Sequence, residues 1–187
     1  YFETTVKLHE DPKMRRFMPW MQHIPQTRRR MLRPETDYSY PFLAMGLADM
    51  VAVHERHLAA LLGAFLSDAA FRAEFRRAPC TRAGHHAYLG GLIEHTVAVA
   101  TLAFETCTLH PRLNSDLLLT AAILHDAGKT LEFELGAEIA LSEAGAMVGH
   151  LTLGHQLVTD RARRIEGFPS ETLLALEQHT EVRAVDV

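Results

Sequence analysis

His125-Asp126 closes an apolar run, Leu117-Leu118-Leu119-Thr120-Ala121-Ala122-Ile123-Leu124. A helix carrying that run is expected to be buried, so its last turn aims an imidazole and a carboxylate inward. Buried ionisable groups are costly unless they meet a charge or a metal. Candidate partners recur at wide spacings: His95 upstream, and His150, His155 and His179 downstream. Neutral imidazole and carboxylate are the usual ligands of catalytic divalent ions. The pattern therefore points to a metal-dependent hydrolase. Lys129, three residues past Asp126, is a point charge suited to a substrate phosphate or to charge developing in a transition state. Its plainer reading is a lysine at a helix C-terminus, where the dipole favours a cation.

The remaining histidines divide by setting. His95 taken alone fits a satisfied core histidine better than a ligand, although Gly90 and Gly91 just ahead of it admit a second backbone. His150 and His155 are five residues apart, off a common helix face, and are not expected to share one ion. His85-His86 fall in a loop before the glycines and could line the same cavity. His9, His23, His54, His57 and His110 have no such setting and read as structural or surface groups. Cys80 and Cys107, in no CxxC arrangement, read as small buried free thiols.

These groups need elements to hold them. Residues 1–43 carry Pro12, Pro19, Pro25, Pro34 and Pro41, which prevent any long helix. One strand over Tyr1 to Leu8 is possible there. From about Ala44 the pattern turns helical, with Met50, Val51, His54, His57, Leu58, Leu61, Leu62 and Phe65 at spacings of three and four. Asp68 predicts an N-cap for a second helix that runs to Pro79. A third helix is expected from Leu92 to about Leu109, before Pro111. Asn114-Ser115-Asp116 caps the helix that ends in His125-Asp126. Thr130 to Leu141 alternates weakly, as a short hairpin would. Ser142-Glu143 turn toward a helix from about Met147 to Arg164, and a last helix spans Glu171 to about Gln178. The fold class is all-α, a helical bundle with an irregular or β N-terminal arm. The expected domains are a basic, proline-rich arm over 1–43 and a metal-dependent domain over 44–187.

Composition bounds the class. The 187 residues, 48% hydrophobic, suffice for one domain with a sizeable core. No stretch looks close to the ~20 apolar residues needed to cross a bilayer, and no signal-peptide layout is visible, so a cytoplasmic protein with no membrane partner is expected. The net charge of −4 conceals an asymmetry: 8 Lys/Arg face 5 Asp/Glu through residue 43, and 11 face 18 beyond it. The basic part includes Arg15-Arg16 and Arg28-Arg29-Arg30-Arg33, with Phe17, Trp20 and Tyr38 interspersed. Basic residues mixed with aromatics can follow a phosphate backbone and stack bases. A solvated connector explains the same composition.

At the histidine motifs a resemblance becomes specific. The stretch from His85 to Thr96, including Gly90-Gly91-Leu92-Ile93-Glu94-His95, resembles the first signature of YhaM-type 3′→5′ exoribonucleases, a branch of the HD phosphohydrolase superfamily. Leu118 to Lys129 resembles the family's His-Asp segment. Gly149-His150-Leu151-Thr152-Leu153-Gly154 resembles its third signature, and Phe168-Pro169 through His179 its fourth. The resemblance covers roughly residues 50 to 180. It implies the all-helical HD fold, a divalent-metal site and hydrolysis of phosphodiester bonds. Two departures stand out. Adjacent histidines followed by glycine are replaced by Gln178-His179-Thr180-Glu181, with Glu181 the candidate substitute ligand. The terminal aspartate of the family pattern is matched only by Asp186, seven residues after His179. A third departure lies upstream: family members often carry an N-terminal OB-fold, and the proline-rich residues 1–43 cannot form its five-stranded barrel, so at most a remnant or a replacement arm is expected there.

Carried over residue by residue, the resemblance implies His95, His125 and Asp126 as core metal ligands, Asp186 as the candidate for the terminal aspartate ligand, and His150 and His179 as completing a second site. The cofactor expected is Mn2+, with Mg2+, Fe2+, Ni2+ and Co2+ as alternatives. Asp126, Lys129 and His86 are the expected catalytic groups, His86 (or His85) as proton donor to the leaving oxygen. His85, Lys129, Arg28 and Arg30 are the expected substrate-binding groups. The partner is single-stranded nucleic acid, RNA or DNA. Two other classes fit the residues: a phosphohydrolase of nucleotides or other small phosphorylated molecules, and a non-catalytic HD binding module.

Overall fold

The computed structural model describes residues 53–136 and 138–180, with side chains through Gln178. The expected arm with Arg28 and Arg30, the strand over Tyr1 to Leu8, and Glu181 and Asp186 lie outside the described residues, as does the His179 side chain.

The first helix, α1 (Arg56–Ser67), buries Leu58, Leu61, Leu62 and Phe65 on one stripe. The helical pattern expected from about Ala44 lies, through residue 52, outside the described residues; among those described, the helix begins at Arg56. The Glu55 carboxylate accepts from the Leu58 amide at 2.7 Å and caps it. Asp116 meanwhile accepts from the backbone amides of His54 and Glu55, at 2.8 and 2.6 Å, holding them in extended chain. The cap therefore overrides the periodicity. Asp68 caps α2 (Ala69–Arg77) through the amides of Ala70 and Phe71, as the sequence predicts. Its other oxygen takes Arg161 of a later helix at 2.8 Å.

Helix α3 (Gly91–Leu109) packs along α4 (Ser115–Leu124). Asn114 caps α4 by accepting from Leu117. At 19 residues α3 is long and apolar enough, by length and composition, to cross a bilayer. That corrects the expectation that no such stretch exists. Here the helix lies within a bundle, burying Leu92, Ile93, Val97 and Ala100 and presenting His95. The core joins Leu58, Leu61, Leu62 and Phe65 to Leu119, Ile123, Leu124, Val158, Ala162 and Leu176. Thus α4 is enclosed by α1, α3 and the C-terminal helix α7 (Ser170–Thr180).

After α4 the chain makes a tight turn through His125-Asp126-Ala127-Gly128. A single-turn helix, α5 (Lys129–Glu132), precedes the expected hairpin of β1 (Phe133–Leu135) and β2 (Ile139–Leu141). The strands are antiparallel, with Phe133 opposite Leu141. Helix α6 (Glu143–Ala162) starts four residues earlier than its apolar pattern suggests, because the Ser142 hydroxyl accepts from the Gly145 amide. It is broken at Gly149, where φ is 72° and ψ 165°. His150 therefore opens a fresh helical segment, as the Gly149-His150 pair suggests. The last helix starts at Ser170, one residue ahead of expectation.

Candidate metal centre

Two elements bring three ligand atoms together. His95 stands one turn into α3, while His125 and Asp126 follow the last residue of α4. The His95 and His125 Nε2 atoms are 3.2 Å apart. Asp126 Oδ2 lies 3.5 Å from the first and 3.2 Å from the second. For an ion with ligand bonds of ~2.0–2.1 Å, tetrahedral neighbours sit about 3.3 Å apart. The triangle matches that edge on all three sides.

Its hydrogen bonding explains why a cation suits it. His125 Nδ1 is 2.8 Å from the Ala122 carbonyl oxygen, an acceptor only. The Nδ1–H tautomer follows, leaving Nε2 as a lone pair. That lone pair faces a carboxylate oxygen, itself an acceptor, at 3.2 Å. In the neutral ring two acceptors converge, and either a proton on Nε2 or a divalent ion in its place resolves the conflict. The residues therefore fit a divalent metal by donor chemistry as well as spacing.

Lys129 does not end α4 as the lysine of its plainer reading would, since α4 closes at Leu124. It is buried at the start of α5, with Nζ 2.7 Å from Asp126 Oδ2. Burial opposes both charges, but the pair's attraction prevails. The Lys129 pKa is raised, and His125 together with Lys129 holds the Asp126 carboxyl well below the usual carboxylate range. Burial pulls the His95 imidazole down to about 4, against the attraction of Asp126. It is neutral near pH 7, the form that ligates metals.

His150 lies at the edge of the triangle. Its Nε2 is 3.7 Å from Asp126 Oδ1, the carboxylate's other oxygen. Glu132 fixes this ring, accepting from His150 Nδ1 at 2.8 Å and from the His150 amide at 3.1 Å. No sequence pattern marked Glu132, because the single turn of α5 is too short to show periodicity. His155 points elsewhere, to Glu177 at 3.1 Å, in keeping with its separation from the His150 face.

Close backbone packing holds these parts. A Cβ on Gly128 would lie 1.9 Å from the His150 carbonyl oxygen and 2.4 Å from the Gly154 amide. Gly128 therefore serves less as a helix exit than as the contact between the His-Asp turn and α6. A Cβ on Gly91 would lie 2.0 Å from the His86 carbonyl oxygen. That contact presses the His85-His86 loop onto α3, as the glycines before His95 suggest.

The His85 and His86 rings lie 5.2 and 6.0 Å, centroid to centroid, from His95. His86 has φ 53°, and its Nδ1 is 2.8 Å from the Tyr88 hydroxyl, which donates to the Glu94 carboxylate. Burial, with His85 nearby, lowers the His86 pKa to about 4. Burial also raises the pKa values of Tyr88 and Glu94.

Cys80 is more than a small core thiol. It is fully buried, with Sγ 3.5 Å from Lys129 Nζ, 3.7 Å from His85 Nε2 and 3.9 Å from Asp126 Oδ2. Burial pushes its thiol up to about 11 despite Lys129. The sequence signal was its place five residues ahead of His85, which only the folded loop turns into a contact.

Residues 92–184 match the family model described as HD domain. Among curated proteins the chain is similar to the 3′-5′ exoribonuclease YhaM of Bacillus pumilus (strain SAFR-032), 34% identical over 106 residues, 56% of this chain and 33% of that protein. It is similar to the YhaM protein of Bacillus subtilis (strain 168) at 33% identity over 107 residues, again 56% and 33% of the two chains. The YhaM protein of Listeria monocytogenes serotype 4b (strain F2365) is 31% identical over 83 residues, 44% of this chain and 26% of that protein. The chain thus spans about a third of the length of the curated relatives it matches. No solved structure matches it.

Proposed function

Since this chain belongs to the HD superfamily, we propose that it is a metal-dependent phosphodiester hydrolase, a 3′→5′ exonuclease acting on single-stranded RNA or DNA. The observation that carries this reading is the His95–His125–Asp126 triangle, with edges of 3.2, 3.5 and 3.2 Å. A divalent ion held there supplies Lewis acidity toward phosphoryl oxygens and lowers the pKa of water to near neutrality; Mn2+ is the ion we favour. Asp126 presents one oxygen to the triangle and the other toward His150. Glu132 holds His150 with Nε2 facing that oxygen. Lys129 brings a positive charge, in reach of Asp126, to the non-bridging oxygens of a substrate phosphate.

His85, exposed on its loop, is the group we assign to the substrate side of the cavity. His86, neutral at pH 7, spends its one N–H on the Tyr88 hydroxyl, which donates in turn to Glu94, so it would protonate a leaving oxygen only after taking up a proton of its own. Arg28 and Arg30 would follow the phosphate backbone from the N-terminal arm. His150 and His179 remain our candidates for a second ion, and Asp186 for the terminal aspartate ligand.

The test is digestion of 5′-end-labelled single-stranded RNA in Mn2+ by the purified chain. A ladder shortening from the 3′ end is expected. Asp126→Asn should abolish it while thermal unfolding stays cooperative. Turnover retained in that variant would refute the assignment. Release of phosphate from mononucleotides alone would move the substrate to small molecules, and hydrolysis of neither would leave a binding module.

A further inference from the structure

The loop from Cys80 to His86 is closed on itself by a set of hydrogen bonds. The Thr81 hydroxyl donates to the His85 carbonyl at 3.0 Å and accepts from the Gly84 amide at 2.9 Å. The Cys80 amide donates to the His86 carbonyl at 3.1 Å. This turn folds His85 back so that its Nε2 lies 3.7 Å from Cys80 Sγ. Around a tetrahedral ion with metal–sulfur and metal–nitrogen bonds of ~2.3 and ~2.05 Å, those two atoms would be about 3.6 Å apart. One ligand atom each from Cys80, His85 and His95 lie within 4.8 Å of one another. The group therefore adjoins the His95–His125–Asp126 triangle and shares one imidazole with it.

We propose that Cys80, His85 and His95 form a second, thiolate-bearing cation site that takes a thiophilic divalent ion of the zinc class. The choice of ion follows from the donors: one sulfur and two imidazoles suit zinc or cobalt, whereas manganese and magnesium favour oxygen. Binding replaces the thiol proton, which passes to solvent. Lys129 Nζ, 3.5 Å from Sγ, is placed to donate to the resulting thiolate. Asp126 Oδ2, at 3.9 Å, is the nearest further donor. Because His95 belongs to both groups, an ion at the thiolate draws that imidazole from the triangle. The two sites compete for it, and a zinc-class ion displaces the ligand set that the nuclease reading relies on. The site itself requires no hydrolytic activity.

Cobalt reads the site directly. The full chain, stripped by chelation and titrated with Co2+, should develop a near-ultraviolet thiolate-to-cobalt charge-transfer band. Cys80→Ser should lose the band, and Cys107→Ser should keep it. His85→Ala should raise the cobalt midpoint by at least about tenfold, since losing even an outer-shell partner costs that much. X-ray absorption of the zinc-loaded wild-type chain tests the same point without a variant, and one sulfur at ~2.3 Å is expected. A wild-type chain with no charge-transfer band, a band that survives Cys80→Ser, or a zinc shell without sulfur overturns the proposal. Metal-dependent digestion of RNA alongside any of those results would leave the nuclease reading standing.

Discussion

Glu132 shows how one side chain governs another. It holds both the ring and the amide of His150, so its removal should act through His150 orientation. Outer-shell partners of this kind typically change metal affinity or activity by ~10–100-fold. Glu132→Gln should weaken Mn2+ binding within that range by calorimetry. Combined with His150→Ala it should add little further loss, because both changes disable the same imidazole. A fully additive double variant would contradict this role.

Titration offers a second test at the same scale. The His95 and His86 imidazoles fall from 6.5 to about 4 on folding, chiefly through burial. A depressed histidine pKa means that the unfolded chain takes up protons first as the pH drops. Its stabilising contribution is full above pH 6.5 and is lost as the pH falls toward about 4. The Tm of chelator-treated protein should decline across that window, and His95→Asn should flatten the decline. Asp126, depressed as a carboxylate, loses its contribution only below its ordinary value of 3.8, outside the window. A Tm that is level from pH 7 to pH 4 would exclude the histidine linkage.

Among the elements, the turn between α4 and α5 is the most constrained. It must pass the backbone of α6 closely enough for Asp126 and His150 to face each other. Gly128 makes that possible, since a methyl there would overlap the His150 carbonyl and the Gly154 amide. Gly128→Ala therefore forces α6 away from the turn and should cost roughly 2 kcal/mol or more, as overpacking against an unyielding neighbour does. Urea unfolding measures the loss, and metal affinity should fall with it. The α4 core obeys the opposite rule. Leu119→Ala leaves a void in a closed cluster and should cost ~2–5 kcal/mol, with the midpoint lowered and the denaturant slope unchanged.

For the whole molecule, charge separation is the property that bears on substrate. Residues 1–43 carry 8 basic and 5 acidic side chains, against 11 and 18 in the remainder. If the basic segment binds a phosphate backbone, affinity for single-stranded RNA should fall steeply with salt. Deleting residues 1–43 should reduce that slope. An unchanged slope would return the arm to the role of connector. Mononucleotide binding, with few phosphates, should depend much less on salt in either form.

Local chemistry was legible in the chain. Asp68 and Asn114 announced their helix starts because capping is decided within three residues. The burial of α4 followed from an unbroken apolar run, and Gly149-His150 marked a helix opening. That His54 and Glu55 stay outside α1 was not legible, because Asp116, some sixty residues away, fixes their amides. Cys80 and Glu132 escaped for the same reason, since the groups that tie them to the site, Lys129 and Asp126 for one and His150 for the other, lie far along the chain. The His-Asp motif, its upstream and downstream histidines, and the helical class were thus encoded as local patterns. Which atoms come within reach of one cation was decided by the docking of α3, α4, the Cys80–His86 loop and α6. Coordination depends on separations of a few ångströms through space, and sequence spacing does not carry that distance across packed helices.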